Sequence, residues 1–215
     1  MPIQINGSGT LTGLSAGGLP DGSVVADDLA SSLDLTGKTV TLPSGTGGKI
    51  LQVKTTQYDT ATSITLVNDG NKELPFYVEI TPTSASSRFI VSYQSGGELS
   101  NNEHWNKCAA LGRANDSGSG FGSISWFEPA SPGSRNRGLG IMSISYNASD
   151  DSSTPEQIAV HNYVDDPDTT DTLRYYPGVY SNNVQTWYVN RNANNGDSDG
   201  YERFISWITV MEVAD

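Results

Sequence analysis

The sequence predicts an all-β protein in two parts: an extended N-terminal arm over residues 1–48, and an antiparallel, jelly-roll-like β-sandwich head over residues 49–215. Three observations predict it. The 4 Trp, 10 Tyr and 5 Phe all lie from Tyr58 onward, so the opening stretch has little apolar bulk and ordering it alone is a net cost. Hydrophobic residues (35%) and charged residues (17%) are sparse, and Gly, Ser, Thr and Asn take their place, which favours short strands and turns over long helices. From residue 49 the apolar pattern has a period of two, broken by Gly, Pro, Asn and Asp clusters.

Within the arm, residues 3–14 alternate weakly, as an edge strand does. Leu19-Pro20-Asp21-Gly22 is a turn signal. Ser23 is placed to cap a short helix over 24–33, with Asp27 and Asp28 near its positive end. Pro43-Ser44-Gly45-Thr46-Gly47-Gly48 is a hinge.

The head opens with strand candidates at 49–54 and 63–67, then a turn at Asn68-Asp69-Gly70-Asn71. Leu74, Phe76, Val78 and Ile80 alternate with Pro75, Tyr77 and Glu79, the pattern of a half-buried strand with proline at its start or on an edge. Phe89, Val91 and Tyr93 form the next, which Gly96-Gly97 is expected to end. Further candidates lie at 104–111, 121–127, 139–146, 158–164, 184–190 and 203–212. Turn clusters between closely spaced strands read as an antiparallel sandwich. In the last strand Phe204, Ile208 and Val210 share one face, and Ile205, Trp207 and Met211 share the other. Two apolar faces imply two buried sides. One is the core; the other has to be a subunit interface or a covering loop, and the expectation is a subunit interface with Ile205, Trp207 and Met211 in it.

The chain carries 12 basic and 24 acidic residues, a net charge of −12, nearly all of the excess falling after residue 57. Such a surface disfavours nucleic acid, which needs a basic face, and leaves neutral glycans or cations open as partners. No apolar run is long enough to span a membrane, and no basic-then-apolar start marks a secretory signal. The expectation is a protein made and assembled in the cytosol without membrane insertion. Cys108 is the only cysteine and reads as a small buried hydrophobe.

Candidate chemistry is thin. His104 and His161 have no nucleophile-elbow sequence near them. His104 and Cys108 are four apart but lack a second ligand pair for zinc. Asp165, Asp166, Asp168 and Asp171, and Asp197 with Asp199, carry oxygens that suit calcium, yet no complete calcium loop is present, and solvated acidic loops are the commoner meaning. No carboxylate pair is singled out for glycoside hydrolysis. Gly45-Thr46-Gly47-Gly48-Lys49 departs from a phosphate loop in spacing and reads as linker. The expectation is therefore no enzyme, no metal and no cofactor. Tyr175-Tyr176-Pro177-Gly178-Val179-Tyr180 is the exception: clustered tyrosines on a Pro-Gly loop suit recognition. Tyr175, Tyr176 and Tyr180, with Arg135 and Arg137 as donors, are the candidate recognition residues; the alternative is that these tyrosines pack beneath a long loop or at a subunit interface.

Two stretches carry a family resemblance. Met1-Pro2-Ile3-Gln4-Ile5-Asn6-Gly7-Ser8-Gly9-Thr10, running on to Leu14-Ser15-Ala16-Gly17-Gly18-Leu19-Pro20-Asp21-Gly22-Ser23-Val24 and Ala26-Asp27-Asp28-Leu29-Ala30, resembles the N-terminus of tail-fibre proteins of tailed bacteriophages, above all those of aquatic phages including cyanophages. Trp187-Tyr188-Val189-Asn190-Arg191 and Ile205-Ser206-Trp207-Ile208-Thr209-Val210-Met211-Glu212-Val213 are similar to the terminal strands of fibre heads in that group. The resemblance implies a homotrimeric virion fibre docked on other tail proteins through its arm, with Ile3, Ile5, Leu11, Leu14 and Leu19 as anchoring residues. Its head loops would meet a host surface glycan or protein. A capsid head fibre or decoration protein is the alternative, and a polysaccharide depolymerase is further off, because its repeat of parallel strands is missing.

Overall fold

A computed structural model describes residues 4–5, 11–12, 49–101, 103, 105–130, 134–144 and 154–214. The chain divides into a unit Met1–Gly47 and a unit Gly48–Asp215. In the first, β1 (Gln4–Ile5) and β2 (Leu11–Thr12) pair antiparallel, with Ile5 opposite Leu11. The helix expected over 24–33, and Ile3, Leu14 and Leu19, lie outside the described residues.

The second unit contains β3 (Ile50–Tyr58), β4 (Thr62–Thr65), β5 (Gly70–Glu73), β6 (Val78–Ile80), β7 (Arg88–Leu99) and β8 (Lys107–Asp116). It continues with β9 (Ser125–Trp126), β10 (Gly140–Ile144), β11 (Glu156–Asp165), β12 (Thr172–Ser181), β13 (Thr186–Val189) and β14 (Ser206–Val213). Among the described residues the fold is all-β. The strands form one antiparallel sheet in the order β3-β14-β7-β11-β10-β8-β12-β5; β13 pairs with β4 and β7, β6 with β12, and β9 with β8. The sheet curls so that its halves face each other, and the sandwich expected from the pattern takes the form of one continuous curled sheet.

Alternation decides which side chains fill the curl. On β14, Ser206, Ile208, Val210 and Glu212 point inward and are buried, while Trp207, Thr209 and Met211 are half-buried on the outside. Phe89, Val91 and Tyr93 of β7, Ile158 and Val160 of β11, Leu111 of β8, and Leu173, Tyr175 and Val179 of β12 complete the interior. Tyr93 joins the two halves: from β7 its hydroxyl reaches the carbonyls of Ala110 on β8, at 2.8 Å, and Gly178 on β12, at 3.0 Å. Its burial drives the phenol's ionisation far above the ordinary range.

Three expectations change. Gly96 and Gly97 do not end β7, which runs on to Leu99. A Cβ at Gly97 would lie 2.2 Å from the Tyr188 carbonyl oxygen, and one at Gly96 2.7 Å from the Phe204 ring, so both glycines admit close neighbours inside the strand. The turn before β5 is confined to Asn68 and Asp69, with Asp69 at φ 51°, and Gly70 already belongs to the sheet. The tyrosine segment is not a loop but the ten-residue strand β12, between β8 on one side and β5 and β6 on the other. Pro177 is tolerated there because its carbonyl accepts from Leu74 N, at 2.9 Å, in the gap between β6 and β5. Its missing N–H points into that same gap, where no ladder strand asks for a donor.

A candidate aromatic recognition surface

The register of β12 against β6 builds the most distinctive surface of the described residues. Tyr175 stands opposite Val78 and Arg174 opposite Glu79. Val78 and Tyr175 face inward, so Tyr77, Glu79 and Thr81 share the outer face with Thr172, Arg174 and Tyr176. Three outer rows follow. Thr81 and Thr172 join hydroxyl to hydroxyl at 2.9 Å. Glu79 Oε1 accepts two hydrogen bonds from the Arg174 guanidinium. Tyr77 and Tyr176 meet with ring centroids 5.7 Å apart.

Arg174 organises the cluster. Its guanidinium carbon lies 4.0 Å from the Tyr77 ring centroid and 3.8 Å from that of Phe121, and its Nη1 donates to the Tyr176 hydroxyl at 3.1 Å. Aromatic faces attract the cation, and the Glu79 carboxylate fixes its orientation. Tyr77 remains 42% exposed. The result is a preordered patch of rings on sheet, with alternating donors and acceptors at its edge.

The predicted recognition residues separate. Tyr176 belongs to this patch. Tyr175 is a core residue, fully buried: its hydroxyl donates to Asp165 Oδ2 at 2.8 Å, and Arg113 binds the same carboxylate. Burial first, and then the Asp165 charge, push its phenol far above the ordinary range. Tyr180 is 9% exposed, too little to serve as a contact surface. Arg137 is held by Glu128 at 2.9 Å, and Glu128 also accepts from Asn71 at 3.0 Å. Arg135 is exposed. The burial of Tyr175 and Tyr180 and the strand that carries them correct the reading of a presented loop: the pleat turns Tyr175 inward, and Trp126 packs over Gly178. Trp126 occupies a notch made by Gly112 and Gly178, where an added Cβ would come 2.9 Å and 2.5 Å from its ring.

Sequence reasoning missed Tyr77, Phe121 and Arg174. Tyr77 gave one signal, as an aromatic on the polar side of an alternating strand. It also missed Trp105, 62% exposed, and Val184, 65% exposed, on neighbouring turns that the Glu103 carboxylate joins by accepting from Asn183 and Gln185.

The candidate interface residues lie on the outside of the curl. Ile205 is 57% exposed, and Trp207 and Met211 are half-buried. Met211 stands between Val53 of β3 and Ile90 of β7, and Ile90 faces Val164 of β11, which makes an apolar row across four strands. Ile5 and Leu11 of the anchoring set are paired in the small two-stranded sheet of β1 and β2.

The other candidates are dispersed. Among the described residues no three His, Cys, Asp or Glu side chains gather as a metal site. Asp165 is committed to Arg113 and Tyr175, and Asp166 to Arg88 at 2.9 Å. His161 is exposed beside a β-bulge, and His104 lies outside the described residues. Cys108 is half-buried, and burial pushes its thiol up. Comparison with protein-family models finds no match, and comparison with curated proteins finds none either.

Proposed function

We propose that this chain is a non-enzymatic fibre protein of a phage virion, docked on the tail by residues 1–48 and binding a host-cell surface through its head. The observation that carries the recognition half is the Tyr77–Arg174–Phe121–Tyr176 cluster, a partly exposed aromatic patch whose geometry is set before any ligand arrives. Preorganised aromatic surface gives contact area at small entropic cost. Recognition therefore comes from the outer face of β6 and β12 rather than from head loops. Assembly in the host cytoplasm and a place on the virion tail belong to the same reading.

The jelly-roll-like head is read as a homotrimer. Support comes from the outer row Val53–Met211–Ile90–Val164 with Trp207 and Ile205, an apolar face that the pairing of β14 leaves on the outside. Three heads on one particle gain from avidity, so a shallow patch suffices. Light scattering of the full chain is expected to give three times the chain mass, and Trp207→Glu to lower it. A monomer at all concentrations contradicts the trimer. Adsorption of labelled full chain to aquatic bacteria, lost in Tyr77→Ala, tests the recognition half. Particles imaged with the chain on the capsid rather than the tail would favour a head fibre or decoration protein.

A further inference from the structure

The aromatic patch continues into a cleft. Where the free side of β3 meets the end of β6, Gln52, Lys54, Glu79, Ile80, Thr81 and Thr172 line a depression of about 240 Å³. That lies below the roughly 300–1,000 Å³ of pockets for drug-sized ligands, so it suits one small ring of a longer molecule. Glu79 links the two parts: it lines the cleft and holds Arg174 against Tyr77.

The polar groups of the cleft are partly used, and what remains open is informative. Gln52 Nε2 gives its hydrogens to the Thr81 carbonyl at 2.7 Å and to Glu212 Oε2 at 2.6 Å, leaving its Oε1 as an acceptor. Glu79 takes both Arg174 bonds on Oε1, which leaves Oε2 as a second acceptor. The Thr81 and Thr172 hydroxyls share one hydrogen, so the other remains a donor. Lys54 is exposed, and among the described residues its ammonium has no ion pair or hydrogen bond. Donors and acceptors thus alternate around a ring-sized space, with an exposed aromatic ring beside it.

We infer that the cleft and Tyr77 form a two-part site for a neutral oligosaccharide, one sugar placing its hydroxyls in the cleft and its neighbour laying an apolar face on Tyr77. This rests on the recognition reading above and names its ligand. Sugar hydroxyls both donate and accept, which the mixed set requires, and the C–H face of a pyranose matches the negative face of an aromatic ring. Charge favours the neutral class: the Glu79 carboxylate and the Lys54 ammonium offset each other in the lining, and the chain as a whole carries −12, which disfavours an anionic ligand.

The test uses the full chain with three neutral probes, maltotriose, cellotriose and chitotriose, and trigalacturonate as the anionic comparator. Titration calorimetry is expected to show saturable binding of at least one neutral probe, weakened about tenfold or more in Tyr77→Ala and in Thr172→Val, roughly a loss of 1.4 kcal/mol each. Circular dichroism melting confirms that both variants fold. Trigalacturonate is expected to bind more weakly. No binding of any neutral probe, unchanged affinity in the variants, or tighter binding of trigalacturonate overturns the inference. Cell adsorption separates the two levels. If adsorption depends on Tyr77 but no neutral probe competes, the sugar class fails and recognition stands; if Tyr77→Ala adsorbs normally, both fail.

Discussion

Tyr175 and Tyr176 are neighbours on one strand, and the pleat sends them to opposite environments. Tyr175 enters a buried interior where Asp165 accepts a hydrogen bond from its hydroxyl and Arg113 balances the carboxylate's charge. Tyr176 faces out, beside Tyr77 and an arginine oriented by Glu79. The inner face of β12 is a packing surface in which each polar atom needs a partner, because desolvation without one costs ~1–3 kcal/mol. The outer face tolerates open acceptors and donors, and there a ligand can bind. Two identical side chains one residue apart therefore answer to different physics.

The sharpest break of this comparison is Tyr175→Ala. Removing a fully buried ring is expected to cost ~3–5 kcal/mol, measured by urea unfolding, whereas Tyr176→Ala costs less than about 1 kcal/mol. Equal costs would place the two residues in one environment. Next comes Gly178→Ala, which sets a methyl 2.5 Å from the Trp126 ring. Overpacking of this kind costs about 1–3 kcal/mol, and Trp126 fluorescence should shift as the ring is displaced. A variant as stable as the parent would show that Trp126 is loosely seated.

A gentler test uses two buried glutamates inside the curl. Burial pushes the Glu156 carboxyl up to about 8, with the Leu99 N–H opposing and the Glu98 charge assisting. Its folded value lies above its unfolded one, so the folded state holds the extra proton. The stability it contributes is full below the unfolded pKa and is lost as pH rises toward 8. Glu212 has the reverse sign: burial opposes its charge, but donors including Thr83 and Gln52 outweigh it and hold its carboxyl below the usual range. Its contribution is lost as pH falls through the folded value. Glu156→Gln should remove up to about 1.4 kcal/mol per pH unit from the fall in stability between mildly acidic pH and 8, by denaturant midpoints across pH. An unchanged slope contradicts the assignment. Smallest in stability is Tyr77→Ala, about 0.5 kcal/mol for a residue 42% exposed, with its main effect on adsorption.

Much of the strand pattern was legible because burial follows a period of two. Leu74, Phe76, Val78 and Ile80 are all buried, and Phe89, Val91 and Tyr93 fully so. The two apolar faces of β14 were legible for the same reason. β12 was not, since Pro177 and Gly178 carry turn signals that tertiary context overrides: one sits at a gap between partner strands, the other gives Trp126 room. The aromatic patch was only half legible. Tyr176 and Tyr77 are about 100 residues apart, and the register of β6 on β12, which no local pattern encodes, brings them together.

The measurement that most directly tests the outer face of β12 as the recognition surface compares cell adsorption of Tyr77→Ala, Tyr176→Ala and Tyr175→Phe, each normalised to folded protein. The expected result is loss of adsorption in the first two with melting preserved, and retained adsorption in Tyr175→Phe despite reduced stability. Adsorption that survives Tyr77→Ala and Tyr176→Ala contradicts it.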